Sequence, residues 1–279
     1  MPRLAVLGQP VSHSRSPAMQ NAALADLGLA GEWSYEAIEV APEGFEALLH
    51  SLPDQRFAGV NVTVPHKLAA LALADSPSEA AREIGAANTL TFADREIEAE
   101  NTDATGVIAA LPESPEGMRA LVLGAGGSAR ACVWALRGAG AEVSIWNRTA
   151  AKAESLATEF GIEHEREAAT GDPLSLDDYD LIANCTTVGL REASAPPDSA
   201  AGLEPLPLRA DSLRPAHIVV DLAYGPAPTP LVTVACDRGA RVVDGLEVLV
   251  HQGAASLRIW TGLDPPLETM RRAARESQT

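Results

Sequence analysis

Residues 119–149 read RALVLGAGGSARACVWALRGAGAEVSIWNRT, and this stretch decides the fold. An apolar run leads into the glycine-rich turn Gly124-Ala125-Gly126-Gly127-Ser128-Ala129, an alanine-rich helical segment follows, and Gly140 precedes a second apolar run. The order strand, glycine-rich turn, helix, strand is typical of a βαβ unit. Backbone N–H groups and the dipole at the start of such a helix can hold a pyrophosphate. The turn therefore predicts a nucleotide site, although Ala129 stands at the third glycine position.

The end of the second strand indicates which nucleotide is bound. An acidic residue about 20 positions past the glycines would bind the ribose of NAD. Here Asn147, Arg148 and Thr149 stand at that point, followed by Lys152 one helical turn later, and no carboxylate is present. A planar guanidinium can clasp a 2′-phosphate, so the sequence favours NADP over NAD. The alternative is that Arg148 and Lys152 are ordinary solvated charges.

Strand and helix patterns also alternate before this unit. RLAVLG, WSYEAIEV and GVNVTV read as strands, with helices at 17–27, around 43–50 and after Lys67. NTLTF and EIEAE flank the turn ADR as a hairpin, and a helix opens near Thr102 or Asp103. The segment PESPEG at 112–117 has the composition of a linker or surface loop. These patterns indicate a first α/β lobe.

The second lobe continues after Thr149. YDLIANC, HIVVDLA and ARVVDG read as further strands, and a proline-rich surface segment lies between Leu190 and Pro215. From Leu246 the pattern becomes helical again, with a break at Gly262 and a final polar helix. The sequence therefore predicts a two-domain α/β protein with a helical C-terminal tail.

Composition excludes several classes of function. The net charge is −17, with 38 acidic against 21 basic residues, and this charge repels nucleic acid and anionic membrane surfaces. No stretch approaches the roughly 18 apolar residues of a membrane span, and the N-terminus does not resemble a signal peptide. The three cysteines and six histidines lack disulfide or metal-ligand spacing. We expect a cytoplasmic protein with no metal, no nucleic-acid partner and no membrane partner.

The motif NVTVPHK at 61–67 contains an unusual lysine. Alternating valines predict a strand that Pro65 ends, and a helical run starts at Leu68, which places Lys67 at a helix N-terminus. A cation there opposes the helix dipole by a few tenths of a kcal/mol. Only Lys67 and Lys152 are lysine among the 21 basic residues, and lysine can lose its proton where arginine cannot. Chance is the alternative explanation for so few lysines.

Polar side chains collect near the carboxyl ends of the first-lobe strands, where ligands of open α/β sheets bind. They are Ser14, Ser16, Asn21, Asn61, Thr63, Asn88 and Asp103. Ser16 before Pro17 also fits an N-cap, and Asp103 fits a cap of the next helix. Together they predict a pocket for a polyhydroxylated small molecule, with Lys67 and Asp103 as its titratable pair for proton transfer.

These residues resemble the shikimate dehydrogenases. The matching segments are PVSHSRSP, GVNVTVPHK, GAANTL, NTD, GAGGSARA, WNRT, VVDLAYGPAPTPL and DGLEVLVHQGAASLRIWTG, in order from residue 8 to 262. The resemblance implies reversible reduction of 3-dehydroshikimate to shikimate with NADPH, on the way to chorismate and the aromatic amino acids. It also implies a substrate-binding domain at 1–104 and 246–279, whose C-terminal helices return to it, and a Rossmann-type NADP-binding domain at 105–245.

The resemblance assigns roles by position. Lys67 and Asp103 would be the catalytic pair. The substrate-binding residues would be Ser14, Ser16, Thr63, Lys67, Asn88, Asp103, Tyr224 and Gln252, with the two serines at the carboxylate of shikimate. The NADP-binding residues would be Gly124, Ala125, Gly126, Gly127, Ser128, Ala129, Asn147, Arg148, Thr149, Lys152, Thr186 and Gly245.

Some positions depart from the family pattern. They are Ala104, Thr187, Leu190, Val248 and Gly253, of which Val248 stands where a methionine often meets the nicotinamide. None removes a group that moves a proton, but they leave cofactor strictness and turnover open. The alternatives are a quinate/shikimate dehydrogenase with relaxed cofactor use and a catalytically silent NADP-binding protein. Whether the chain is a monomer or a homodimer also stays open.

Overall fold

The computed structural model describes residues 1–94, 96–165, 173–190, 203 and 205–276. The chain forms two compact units, Met1–Gly106 with Leu249–Thr279, and Val107–Val248. The family resemblance places the domain boundaries at 104/105 and 245/246, and these boundaries stay a prediction. The first break between the two compact units, after Gly106, falls inside a helix. The PESPEG segment lies in the second unit as a loop.

The first unit is built on a mixed six-stranded sheet. Its strands are β1 Arg3–Gly8, β2 Ser34–Glu39, β3 Phe57–Val62, β4 Ser76–Pro77, β5 Thr89–Ala93 and β6 Glu96–Glu100, in the order β2-β1-β3-β5-β6-β4. The helices of this part are α1 Ser16–Asp26, α2 Pro42–Ser51, α3 Lys67–Ala72, α4 Glu79–Ile84 and α5 Thr102–Ala110. Strand β3 is parallel to β1 and antiparallel to β5. The start of β5 therefore lies at the same end of the sheet as the C-terminal ends of β1 and β3.

Alternation along β1 explains how this sheet is covered on both faces. Leu4 and Val6 pack in one buried cluster with Met19 of α1, whereas Ala5 and Leu7 pack in another with Phe45 of α2. Successive strand residues point to opposite faces, so a strand covered on both sides is apolar throughout.

The second unit contains a parallel six-stranded sheet. Its strands are β7 Arg119–Leu123, β8 Glu142–Trp146, β9 Glu163–His164, β10 Leu181–Asn184, β11 Ile218–Asp221 and β12 Arg241–Val243, in the order β12-β11-β10-β7-β8-β9. Its helices are α6 Gly127–Gly138, α7 Ala150–Phe160 and α8 Pro230–Asp237. The strand and helix succession confirms the Rossmann-type arrangement expected from the sequence.

The two C-terminal helices are α9 Gly245–Thr261 and α10 Leu267–Glu276. Most of α9 and all of α10 belong to the first unit, in which Leu257 of α9 and Met270 of α10 share a buried cluster with α1. The prediction that the helical tail returns to the first lobe is confirmed. Among the described residues, no helix has the length and apolarity that crossing a bilayer requires.

Two sequence expectations about the fold are wrong. The strand around GVNVTV ends at Val62, so Thr63 and Val64 lie beyond it. The segment between Leu190 and Pro215 is not wholly a surface segment, because Leu206, Leu208 and Leu213 are buried in the core with β7 and β10. Residues 191–202 and 204 of that segment lie outside the described residues.

Candidate active site

Lys67 and Asp103 meet in the first unit as an ion pair. Lys67 is the first residue of α3, and Asp103 lies in the first turn of α5. The Nζ atom of Lys67 donates to Oδ2 of Asp103, and the two side chains are only 9% and 10% exposed. Charges so far from water must be paired, so each holds the other in place.

His66 fixes the approach of the chain to Lys67. Its ring is buried, stacks on Phe45 with centroids 4.4 Å apart, and its Nε2 lies 2.8 Å from the carbonyl oxygen of Val40. The residue before the lysine is thereby tied to the segment around α2.

Asn88 and Gln252 complete a group of four around the ion pair. The Nδ2 atom of Asn88 donates to Oδ1 of Asp103 at 2.8 Å and lies 3.2 Å from Oε1 of Gln252. The backbone N–H of Thr102 donates to Oδ1 of Asn88 at 2.7 Å. A backbone N–H can only donate, so this bond sets which end of the Asn88 amide faces Asp103.

Ser14 and Ser16 follow strand β1, and Thr63 follows strand β3. Both strands end at the same end of the first sheet. Ser14 lies after β1, and its hydroxyl accepts from the backbone N–H of Ser16 at 3.3 Å. The expectation that Ser16 is an N-cap is wrong, because Arg15 already has helical dihedrals and Ser16 lies inside α1. Thr63 follows β3, and its N–H donates to the carbonyl of Leu7.

Two asparagine side chains that were expected in the pocket, Asn21 and Asn61, instead form hydrogen bonds that hold the first unit together. Asn21 bonds both the N–H and the C=O of Tyr35 through its side chain. Asn61 accepts from the Tyr35 hydroxyl and donates to the hydroxyl of Ser256. Asp103 does not cap α5, since Asn101 accepts from the N–H groups of the first turn.

The glycine-rich turn of the second unit leads into a helix N-terminus of the kind that binds anions. Gly124 has a φ of +117°, which non-glycine residues rarely adopt, and its N–H donates to Trp146 at the end of β8. A Cβ added at Gly126, which precedes α6, would meet nothing within 4 Å. The first turn of α6 contains no acidic residue, so its N–H groups and dipole favour a phosphate. Gly127, Ser128 and Ala129 form that turn.

The segment after β8 has the composition that a 2′-phosphate requires. Arg148 and Lys152 are exposed, and the first turn of α7 has no acidic residue. Asn147 donates to the carbonyl of Thr149, which closes the turn between strand and helix. The donor set fits NADP.

Three more residues to which the family resemblance assigns a role follow β10, β11 and β12: Thr186 and Gly245, assigned to the cofactor, and Tyr224, assigned to the substrate. Thr186 donates through N–H and hydroxyl to Oδ1 of Asn184, while Tyr224 is half-buried after β11. Gly245 starts α9, and a Cβ there would lie 2.7–2.9 Å from the carbonyl oxygens of residues 221–223. Only glycine permits this approach.

Asp221 was missed by sequence reasoning. It is fully buried at the end of β11, and it accepts hydrogen bonds from the side chains of Asn184 and Thr229 and from the N–H of Ala223. Burial raises the pKa of the Asp221 carboxyl to about 6, although the three hydrogen bonds act in the opposite direction. The signal that could have found it is its place at the end of an apolar run, within the predicted strand HIVVDLA.

The departures from the family pattern are of two kinds. Ala104 and Val248 are buried, and Val248 packs in the core of the second unit, whereas Thr187 and Leu190 are exposed. At Gly253 a Cβ would lie 2.4 Å from Cε of Met19, so the glycine makes room for that side chain.

Three family models match the chain. They are the shikimate dehydrogenase substrate binding domain at residues 6–90, the shikimate / quinate 5-dehydrogenase at 109–190 and the shikimate 5′-dehydrogenase C-terminal domain at 245–275. The chain is 43% identical over 284 residues to the shikimate dehydrogenase (NADP(+)) of Thermus thermophilus, with 99% of each chain covered.

Solved structures agree over nearly the whole chain. The shikimate 5-dehydrogenase of Thermus thermophilus in complex with NADP(H) and shikimate has a TM-score of 0.83 at 42% identity, with 99% of both chains covered. The ligand-free 5-ketofructose reductase of a Gluconobacter strain also has a TM-score of 0.83, at 30% identity, covering 98% of this chain and 97% of its own.

Proposed function

The chain belongs to the shikimate dehydrogenase family, and from this premise we propose that it catalyses the NADP-dependent, reversible reduction of 3-dehydroshikimate to shikimate. The reaction belongs to the biosynthesis of chorismate and the aromatic amino acids. The observation that carries the proposal is the buried Lys67–Asp103 pair with Asn88 against its carboxylate.

Lys67 supplies the proton in this proposal. NADPH contributes the hydride in the reduction and NADP⁺ accepts it in the reverse reaction. In the reduction the Lys67 ammonium gives a proton to the oxygen of the substrate carbonyl, and in the oxidation the neutral amine takes the hydroxyl proton. Asp103 holds the amine in position and receives the hydrogen bond from Asn88.

Hydroxyl and amide groups at the edge of the first sheet suit a polyhydroxylated acid. Ser14 and Ser16 would bind its carboxylate, and Thr63, Asn88, Gln252 and Tyr224 its ring substituents. The support in the structure is that Ser14 and Thr63 follow the parallel strands β1 and β3. The C-terminal ends of these strands lie at the same end of the sheet as the start of β5, which directly follows Asn88. Ligands of α/β sheets bind at such edges.

The second unit would hold NADP. The N–H groups of α6 would bind the pyrophosphate, Arg148 and Lys152 the 2′-phosphate, and Thr186 and Gly245 the nicotinamide side. Support comes from the open space at Gly126 and from the exposed cations without a nearby first-turn acid. Arg148 presents a fork of donors that matches a phosphate.

An absorbance assay with four reagent pairs tests the proposal. Shikimate or quinate is combined with NADP⁺ or NAD⁺, and formation of reduced nicotinamide is followed. We expect shikimate with NADP⁺ to give the highest kcat/KM. Comparable rates with quinate or NAD⁺ would favour the quinate/shikimate alternative, and no reaction with any pair would refute the proposal in favour of a silent NADP-binding protein.

Compartment and assembly are further proposals. We place the protein in the cytoplasm, a reducing compartment that suits the three free cysteines Cys132, Cys185 and Cys236. A homodimer stays a prediction, which light scattering after size-exclusion chromatography would test against a monomer.

A further inference from the structure

Three hydroxyl groups form a closed triangle behind the ion pair. The Oγ1 atoms of Thr89 and Thr102 are 3.1 Å apart, and the Oγ atom of Ser256 lies 2.9 Å from the first and 3.0 Å from the second. They come from β5, α5 and α9, and none is more than 3% exposed. A buried hydroxyl costs free energy unless it is bonded, so three meeting at one point need a reason.

The triangle is bonded to the amide that contacts Asp103. The Oδ1 atom of Asn88 lies 3.1 Å from the hydroxyl oxygens of both Thr89 and Thr102, and its Nδ2 lies 3.0 Å from that of Thr102. Hydroxyl hydrogens rotate to suit their neighbours, so the triangle can adjust donors and acceptors around a fixed Asn88.

Ser256 connects this group to the helix that carries Gln252. Its hydroxyl oxygen has four polar neighbours at 2.9–3.0 Å. They are the hydroxyl oxygens of Thr89 and Thr102, the side-chain amide nitrogen of Asn61 and the backbone carbonyl oxygen of Gln252. One hydrogen and two lone pairs can serve three of these at a time. Gln252 lies one helical turn before Ser256, so the serine ties that turn of α9 to β5 and α5.

We propose, resting on the proposed function, that Ser256 is a positioning residue for the reaction, acting through Asn88 and Gln252. Without its hydroxyl, α9 loses the bonds that Ser256 makes to Thr89, Thr102 and Asn61, and the hydroxyl groups around the Asn88 amide lose part of their support. Misplacement of a binding group by about 1 Å can lower the rate about a hundredfold, so such a group must be held within about 0.5 Å of its productive position.

Ser256→Ala tests this role in two backgrounds. In the otherwise native chain it lowers kcat/KM for shikimate about tenfold and leaves KM for NADP⁺ unchanged. In an Asn88→Ala background its further effect is smaller, because the part that acts through Asn88 is already lost and only the part that acts through Gln252 is left. A serine that only stabilised the fold would give the same fold-change in both backgrounds.

Two more variants keep the test decisive. Thr261→Val removes a hydroxyl from the same helix that also bonds back four residues, at 2.8 Å from the Leu257 carbonyl, and it leaves kcat/KM unchanged. If Ser256→Ala does not fold, Thr89→Val opens the triangle from β5 with nearly the same side-chain volume and gives the same loss.

The outcomes separate this inference from the proposed function. If the wild-type chain does not oxidise shikimate, the proposed function fails and the inference fails with it. If the wild type is active but Ser256→Ala keeps its kcat/KM, loses equally in both backgrounds, or is matched by Thr261→Val, the positioning role alone is refuted.

Discussion

Replacing Asp221 by asparagine changes how the stability of the second unit depends on pH. The pKa of this carboxyl is 3.8 in an ordinary environment and about 6 in the folded protein, because burial disfavours the charged form. The folded state therefore binds the proton more tightly than the unfolded chain. The stability contributed by protonation is fully present below a pH of about 3.8 and is lost as pH rises through about 6.

The size of the effect follows from the shift. A difference of about 2.2 in pKa corresponds to about 3 kcal/mol over the whole range, and about 1.4 kcal/mol of it falls between pH 8 and pH 5. Asparagine keeps an oxygen for the Asn184 amide and the Ala223 N–H, and its amide can donate to Thr229, so the bonds of the site survive.

Denaturant unfolding of both proteins at several pH values between 5 and 8 measures this difference. The wild type gains stability relative to Asp221→Asn as the pH falls, by about 1.4 kcal/mol at pH 5. Asp237→Asn, an exposed position on α8, is the matched control and shows no comparable trend. A difference that is constant with pH, or that changes in the other direction, would refute the account of the buried carboxylate.

Three further substitutions follow from the contacts. Lys67→Met leaves the Asp103 carboxylate buried without its cation and lowers the free energy of unfolding at pH 7 by about 3–5 kcal/mol in denaturant titrations, a loss that adding Asp103→Leu reduces. Arg148→Ala weakens NADPH binding at least tenfold but NADH binding little in fluorescence titrations, and equal losses would mean that its role is misread. Gly245→Ala places a Cβ within 2.9 Å of three backbone carbonyl oxygens that cannot move independently, so it lowers stability by about 3 kcal/mol, and a melting temperature equal to that of the wild type would contradict this packing.

Local sequence patterns predicted the elements and many site positions. Lys67 at a helix start and the hairpin before Asp103 follow from short-range signals, namely a proline after alternating valines and a turn between β-like runs. Helix α8 was missed although its signal was present, since Thr229 before Pro230 is the N-cap of a helix whose first position is proline.

Long-range partners could not be read from the sequence. Asn61 and Ser256 are 195 positions apart and meet only because α9 returns to the sheet containing β3. The same holds for Asn88 and Gln252, 164 positions apart. In the sequence, an asparagine at a strand end looks the same whether its side chain lies in a pocket or in the protein interior. Asn61 was wrongly expected in the pocket, because only tertiary contacts distinguish the two positions.

The most direct test of the catalytic claim compares the wild type with Lys67→Ala in the oxidation of shikimate by NADP⁺, with shikimate binding measured on both by calorimetry. The account predicts that turnover falls at least about a hundredfold while the Kd for shikimate changes little. Near-normal turnover in Lys67→Ala would contradict it.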